Sequence, residues 1–266
     1  MRPLISVIIP CYNDGKYLEE TLQRLNQQSF QDFETIIVND GSTDLETIKV
    51  LQSLEGRDRL RIINTPNGRM SAARNVGIEN ATGEMIVALD ADDHFEKSFF
   101  EKAIKILNSN QNVAVVSSYI QHFGLDKKVF KPRGGTIKNF LFSNQCAMCS
   151  MFRKTVWDEA GKFDEKMVYG YEDWEFYIRV TALGYRVHII PEILFFYRQT
   201  EKSTLKNDTT PNAREIISYI LDKHAVLYKS QLNDLISSKQ VLYTESRISW
   251  QQIAKMVLAR ITGKYK

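Results

Sequence analysis

Residues 90–93 read Asp-Ala-Asp-Asp and close the apolar run "EMIVAL" at 84–89. Asp90, Asp92 and Asp93 raise one another's pKa unless a cation neutralises them, so the cluster needs a partner. As a solvated loop or helix N-cap it would only suit the local dipole. At the end of a buried strand the same oxygens suit a hard divalent ion, Mg2+ or Mn2+, that also binds phosphate oxygens. A second acidic pair, Glu172 and Asp173, opens "EDWEFYIRV" beside Tyr171, Trp174 and Phe176. Partial desolvation by those rings would give a carboxylate enough basicity to take a proton from a substrate hydroxyl. Favourable placement in a helix first turn is the equal alternative for this pair.

These groups need elements to converge them. Four apolar, β-branched runs at 4–10, 34–40, 60–64 and 84–90 alternate with segments of helical spacing at 16–28, 45–54 and 70–81. That alternation predicts a parallel sheet covered on both faces, with right-handed crossovers. Ligands of such sheets bind at the carboxyl ends of the strands. Tyr12 and Asn13, Asn39 and Asp40, Asn64 and Asn67, and the aspartates from 90 onward should therefore open onto one crevice. Tyr12 offers an aromatic face to a base, Asp40 an acceptor for a base N–H, and Arg74 a charge for phosphate. No GxGxxG follows the first run and no GxxxxGK[ST] occurs anywhere, so dinucleotide and P-loop chemistry are not supported.

Beyond residue 95 the spacing predicts a helix over 98–108, a strand over 113–120, a loop over 130–136 and a strand at "CAMCSMF" (146–152). A short helix follows near "TVWDEAG", then a helix over 172–184 ended by Gly184, strands at 186–191 and 193–198, and helices over 212–262. The polar stretch 198–212 is the nearest thing to a boundary. It divides a catalytic domain, 1–210, from a helical extension, 211–266, and the catalytic domain into a nucleotide-binding half (1–95) and an acceptor-binding half (96–210).

With 266 residues, 43% of them hydrophobic, and a net charge of +3, the chain can bury a sizeable core and is too nearly neutral to bind nucleic acid by charge alone. No window reaches the roughly 18 apolar residues of a spanning helix. Three cysteines, an odd number, fit a reducing compartment and a cytoplasmic protein; the Cys146/Cys149 pair reads as packing before metal or redox use. His94, His122, His188 and His224 carry no motif and read as structural. The segment 247–266 holds five basic residues and no acid, with Ile248, Trp250, Ile253, Val257 and Ile261 able to share one face. Packing against the catalytic domain or a second subunit is the first reading for it, and contact with an anionic membrane the second. The oligomeric state is left open.

The stretches "SVIIPCYNDGKYLEETLQRLNQQSFQDFETIIVNDGSTD", "NGRMSAARNVGIENATGEMIVALDADD" and "GYEDWEFYIRV" resemble the glycosyltransferase family 2 enzymes, over about residues 4–200 and with the motifs in order. The resemblance implies a GT-A type, Rossmann-like, mostly parallel sheet sandwiched by helices. It also implies an inverting transferase with a nucleotide-sugar donor, most often UDP-linked. By that resemblance Pro10, Tyr12 and Asp40 bind the nucleoside, with Asp40 on the uracil, and Asn67 and Arg74 complete the pocket. "DAD" matches the family's DxD motif: Asp92 ligates Mn2+ or Mg2+ at the diphosphate and Asp90 contacts ribose, sugar or metal. Asp93 is assigned no single role. Asp173 matches the catalytic base and Glu172 helps hold donor or acceptor. The implied acceptor is a glycan or lipid-linked glycan, in bacterial surface polysaccharide synthesis at the inner face of the cell membrane. One departure stands out: where the family often has a His after a Tyr-Arg pair, this chain has Thr200. The competing readings are a silent nucleotide-sugar-binding subunit, a haloacid-dehalogenase type phosphatase, which would want DxDx[TV] on the first strand, and a sugar nucleotidyltransferase, which would want a glycine-rich N-terminal loop.

Overall fold

The computed structural model describes residues 3–201 and 205–243. The first 90 residues alternate strand and helix: β1 (Ile5–Cys11), α1 (Gly15–Leu25), β2 (Phe33–Asp40), α2 (Leu45–Leu54), β3 (Leu60–Thr65), α3 (Arg69–Glu79) and β4 (Met85–Ala88). The strands pair in parallel in the order β3-β2-β1-β4, with Ile5 opposite Phe33 and Met85. Alternation along β1 explains why every residue there is buried: Ile5, Val7 and Ile9 face a core shared with Leu18, Leu22 and Leu25 of α1 and Leu51 and Leu54 of α2, while Ile8 faces Ala73 and Ile78 of α3. Helix α3 lies tight on the sheet because Gly77 has no Cβ to strike the Ile8 side chain.

The second half comprises β5 (His94–Phe95), α4 (Phe99–Ser109), β6 (Val113–Gly124), β7 (Val129–Phe130), α5 (Ile137–Phe140), β8 (Met151–Arg153), α6 (Lys154–Glu159), α7 (Glu172–Ala182) and β9 (Arg186–Gln199). It continues the sheet as β4-β8-β6-β9-β5, with β8 antiparallel to both neighbours, β6 and β9 parallel, and β7 paired with β6 off this path. Two expectations from sequence need correction. Of "CAMCSMF" only Met151 and Phe152 are in a strand; the rest is irregular backbone whose side chains divide between the two cores, Cys146 and Met148 on one side and Cys149 on the other. The two runs at 186–191 and 193–198 form a single strand, β9, which absorbs Pro191 at a register shift against β6.

After a π-helical turn (Leu205–Thr209) come α8 (Thr210–Lys223) and α9 (Ala225–Tyr243). Ile216 and Ile220 enter the α3-side core, and Tyr228 donates to the Leu141 carbonyl at 2.6 Å. The segment 247–266 lies outside the described residues. The polar clasp is on α7. Glu175, fully buried, accepts from Arg179 at 2.9 Å and Lys223 at 2.8 Å and contacts His224 Nε2 at 2.8 Å, while Lys223 and Tyr219 also reach Asp164. Burial opposes its ionisation, yet His224, Arg179 and Lys223 hold the Glu175 carboxyl down at about 2. A depressed folded-state value contributes stability above the unfolded value near 4.5 that is lost as pH falls toward about 2. That contribution is about 3 kcal/mol. Denaturant unfolding between pH 6 and 2 should show it, and Glu175→Gln should both destabilise the protein at neutral pH and flatten the dependence. An unaltered pH profile in the variant would show the clasp to be energetically idle.

Candidate active site

The ends of β1, β2 and β3 are tied together by side chains. Asn13, in the left-handed region at φ 57°, accepts from the N–H groups of Thr43 and Asp44 at 2.8 and 2.9 Å, and Asn39 donates to Asn64 Oδ1 at 2.8 Å. Pro10 is buried in β1, whereas Tyr12 leaves 46% of its surface open beside it. Asp40 is buried at the end of β2 and accepts from the Gly68 N–H at 2.7 Å. Burial pushes its carboxyl up, against the pull of the Gly68 and Arg69 N–H groups. Gly41, at φ +70°, lets Asn67 lie against this end: a Cβ there would stand 2.7 Å from the Asn67 nitrogen. Tyr12, Asp40 and Asn67 thus stand at the same, carboxyl-terminal edge of the parallel strands.

Arg74 joins the two groups of acids. Projecting from α3 and only 1% exposed, it donates through Nη2 to Asp90 at 2.7 Å and through Nη1 to Glu172 at 2.6 Å. Burial works against its charge, but Asp90 and Glu172 outweigh that and raise its pKa further. The acids from 90 and from 172, far apart in sequence, share one buried guanidinium.

Strand β4 ends at Ala88, so Asp90 to Asp93 form a loop rather than a strand end. Its members differ. Asp92 is half-buried, and burial, then Asp90 and Asp14, push its carboxyl up to about 7. Asp93 is buried, accepts from the Arg198 N–H at 2.7 Å, and faces the Cys149 thiol at 3.8 Å. Burial and the charges of Asp92 and Asp90 raise it well above the usual carboxylate range. Arg198 also donates to the Asp92 carbonyl at 2.9 Å and to Glu20 at 2.6 Å, with its guanidinium between the rings of Phe123 and Tyr17. Asp93 is therefore the inward anchor of the loop and Asp90 and Asp92 its outward groups. The only sequence hint of Arg198 was the Tyr-Arg pair before Thr200; Cys149 stood out only as half of the Cys146/Cys149 pair, read as packing.

At the other acid pair, Gly170 (φ +107°) and Tyr171 (φ +59°) turn the chain so that Glu172 and Asp173 begin α7. A Cβ at Gly170 would collide with the Thr209 hydroxyl, so the turn is fixed by the segment before α8. Asp173 accepts from the Trp174 N–H at 2.7 Å and from Asn144 at 2.8 Å. Burial, then the neighbouring Glu172 charge, push its carboxyl up to about 7. Asn144, from the irregular stretch before β8, carried no sequence signal.

One oxygen each of Asp90 and Asp93 and the Cys149 sulfur lie within 4.8 Å of one another. Of these three donors the two carboxylates suit a hard divalent ion, whose charge would offset theirs. Cys149, buried beside them, is a soft sulfur donor and does not suit Mg2+ or Mn2+. Asp92, expected from the sequence as a metal ligand, is outside that tight group.

The family model described as Glycosyl transferase family 2 matches residues 6–161. The chain is 32% identical over 208 residues to the uncharacterized glycosyltransferase MJ1057 of Methanocaldococcus jannaschii, covering 74% of this chain and 71% of that one. It is 30% identical over 199 residues to the chondroitin synthase of Pasteurella multocida, covering 70% of this chain but 20% of that one. Among solved structures, S. aureus TarS 1-349 in complex with UDP-GlcNAc superposes with a TM-score of 0.62 at 23% identity, over 78% of this chain. The chain spans about three fifths of that structure's length, 61%.

Proposed function

The chain belongs to glycosyl transferase family 2 and has the GT-A fold, and we propose that it moves a sugar from a UDP-linked donor to an acceptor hydroxyl with inversion, Asp173 serving as base. The observation that carries this reading is the Arg74 bridge, which draws the Asp90 end of the nucleotide-binding half to the first turn of α7. The UDP-GlcNAc in TarS supports the choice of a uridine nucleotide.

In this reading Pro10, Tyr12, Asp40 and Asn67, at the ends of the parallel strands, hold the nucleoside, with Asp40 accepting from the base N–H. Asp90 and Asp92 would hold Mn2+ or Mg2+, which when bound would supply Lewis-acid relief of the charge growing on the leaving diphosphate. Arg74 and Glu172 keep Asp90 and the start of α7 in fixed relation. Asp173 removes the acceptor proton as that oxygen attacks the anomeric carbon from the face opposite the diphosphate. One displacement inverts the centre and needs no covalent intermediate, so one base suffices. The acceptor, a glycan or lipid-linked glycan, enters from the 96–210 half, and the synthase relative supports a setting in polysaccharide assembly. The division at 210, and a cytoplasmic place at the inner membrane face, belong to the same reading; among the described residues no helix is long and apolar enough to cross a membrane.

The test is a panel of nucleotide sugars assayed for hydrolysis and transfer with and without Mn2+. UDP-sugars should be consumed only with the metal, and Asp92→Ala should reduce turnover by about 10²-fold or more, the size expected when several kcal/mol of charge stabilisation is lost. Donor binding without turnover of any kind would favour the silent-subunit reading instead.

A further inference from the structure

We propose that the β6–β7 hairpin is a finger that seats the protein on the surface of an anionic lipid bilayer. Among the described residues strand β7 pairs only with β6, by Ile120 with Phe130 and Gln121 with Val129, and so lies at an edge of the sheet. Its tip and outer strand expose Leu125 (69%), Val129 and Phe130, three apolar side chains in six residues. Between and after them stand Lys127, Lys128, Lys131 and Arg133, all exposed. The one acid in this stretch, Asp126, is engaged by Lys128 at 3.2 Å and by His122 at 3.6 Å.

The exposed groups are not the wet side of a floppy loop. Gln121 Nε2 donates to the Lys127 carbonyl at 2.9 Å, Asp126 accepts from the Lys127 N–H at 2.7 Å, and the Leu125 N–H donates to the Gln199 carbonyl at 3.1 Å. Gly124, at φ +87°, makes the close approach to Gln199 possible. Polar bonds hold the tip, leaving the apolar side chains with nothing to cover among the described residues. Exposed apolar groups interleaved with lysines are what a membrane interface accepts: the former enter the headgroup boundary while the latter meet anionic lipid. A soluble polyanion would pair with the lysines and leave Leu125 and Phe130 in water, so the bilayer is the better fit. The hairpin is also well placed, because Phe123 at its root stacks on Arg198, which holds the Asp92–Asp93 loop.

The full chain should cosediment with phosphatidylcholine vesicles containing phosphatidylglycerol at least about tenfold better than with phosphatidylcholine alone, and lose that preference in high salt. Lys127→Gln/Lys128→Gln/Lys131→Gln should weaken binding at least about tenfold, and Leu125→Ser/Phe130→Ser should do so too. Thermal melts of both variants should match the unsubstituted chain, since the altered side chains are solvent-exposed. Failure to cosediment with either vesicle would overturn the proposal. Undiminished binding by both variants would overturn it as well and place the contact elsewhere, in 244–266 for instance. Loss with the lysine variant but not the Leu125→Ser/Phe130→Ser variant, with full competition by dextran sulfate, would make the hairpin a polyanion grip and overturn the bilayer reading.

Discussion

Asp173→Asn is expected to keep the fold and reduce sugar transfer by about 10²–10⁴-fold, the range for removal of a general base. The substitution preserves size and the capacity to accept the Trp174 N–H, so the start of α7 should hold. What disappears is the proton acceptor. The unsubstituted protein should show the same group in its pH profile: a base works ionised, burial and Glu172 lift this one to about 7, and transfer should therefore rise with pH through about 7 and level off above it. Asn144 favours the ionised form by donating to it at 2.8 Å, so Asn144→Ala should raise the pKa and move the acid limb to higher pH while sparing the plateau. Single-turnover rates at saturating donor measure both. Normal transfer by Asp173→Asn would remove Asp173 from the role of base.

The first four strands and their helices were legible because each signal was local: continuous β-branched runs, helical spacing, and turn residues that end them. Their parallel pairing then located Tyr12, Asp40 and the aspartates at one edge without any coordinate. "CAMCSMF" failed for a physical reason. An apolar run says that side chains are buried and not how, and this one buries its side chains on two faces through irregular backbone. The roles of the three aspartates were not separable in sequence either. Asp93 is distinguished by the Arg198 N–H from β9 and by Cys149, both over fifty residues away. Asn144 and the Glu175 clasp belong to the same class, being pairings made only after the chain has folded back on itself. Thr200 stands where the family often has a His, and its neighbours Lys202 and Ser203, whose side chains could contact a phosphate, lie outside the described residues.

Arg74→Met should destabilise the protein by about 3–5 kcal/mol, the cost of breaking a buried ion pair by removing one partner. The size follows from the geometry. One guanidinium, 1% exposed, serves Asp90 at 2.7 Å and Glu172 at 2.6 Å, and methionine fills its volume while leaving two carboxylates facing one another in a poorly solvated place. At about 2–4 °C per kcal/mol for a chain of this size, Tm should fall by about 6–20 °C. Lysine is no substitute, since a single ammonium cannot present two nitrogens in the fixed fork that reaches both acids, so Arg74→Lys should recover only part of the loss. The cause can be separated from packing by a cycle: Glu172→Gln in the Arg74→Met background removes one stranded charge and should restore stability, giving a coupling energy above about 1 kcal/mol. Donor affinity should fall in both Arg74 variants, because Asp90 loses the group that fixes it. A Tm within a few degrees of the unsubstituted chain would mean that the bridge holds nothing together, and the link between the Asp90 loop and the proposed base would have to be sought elsewhere.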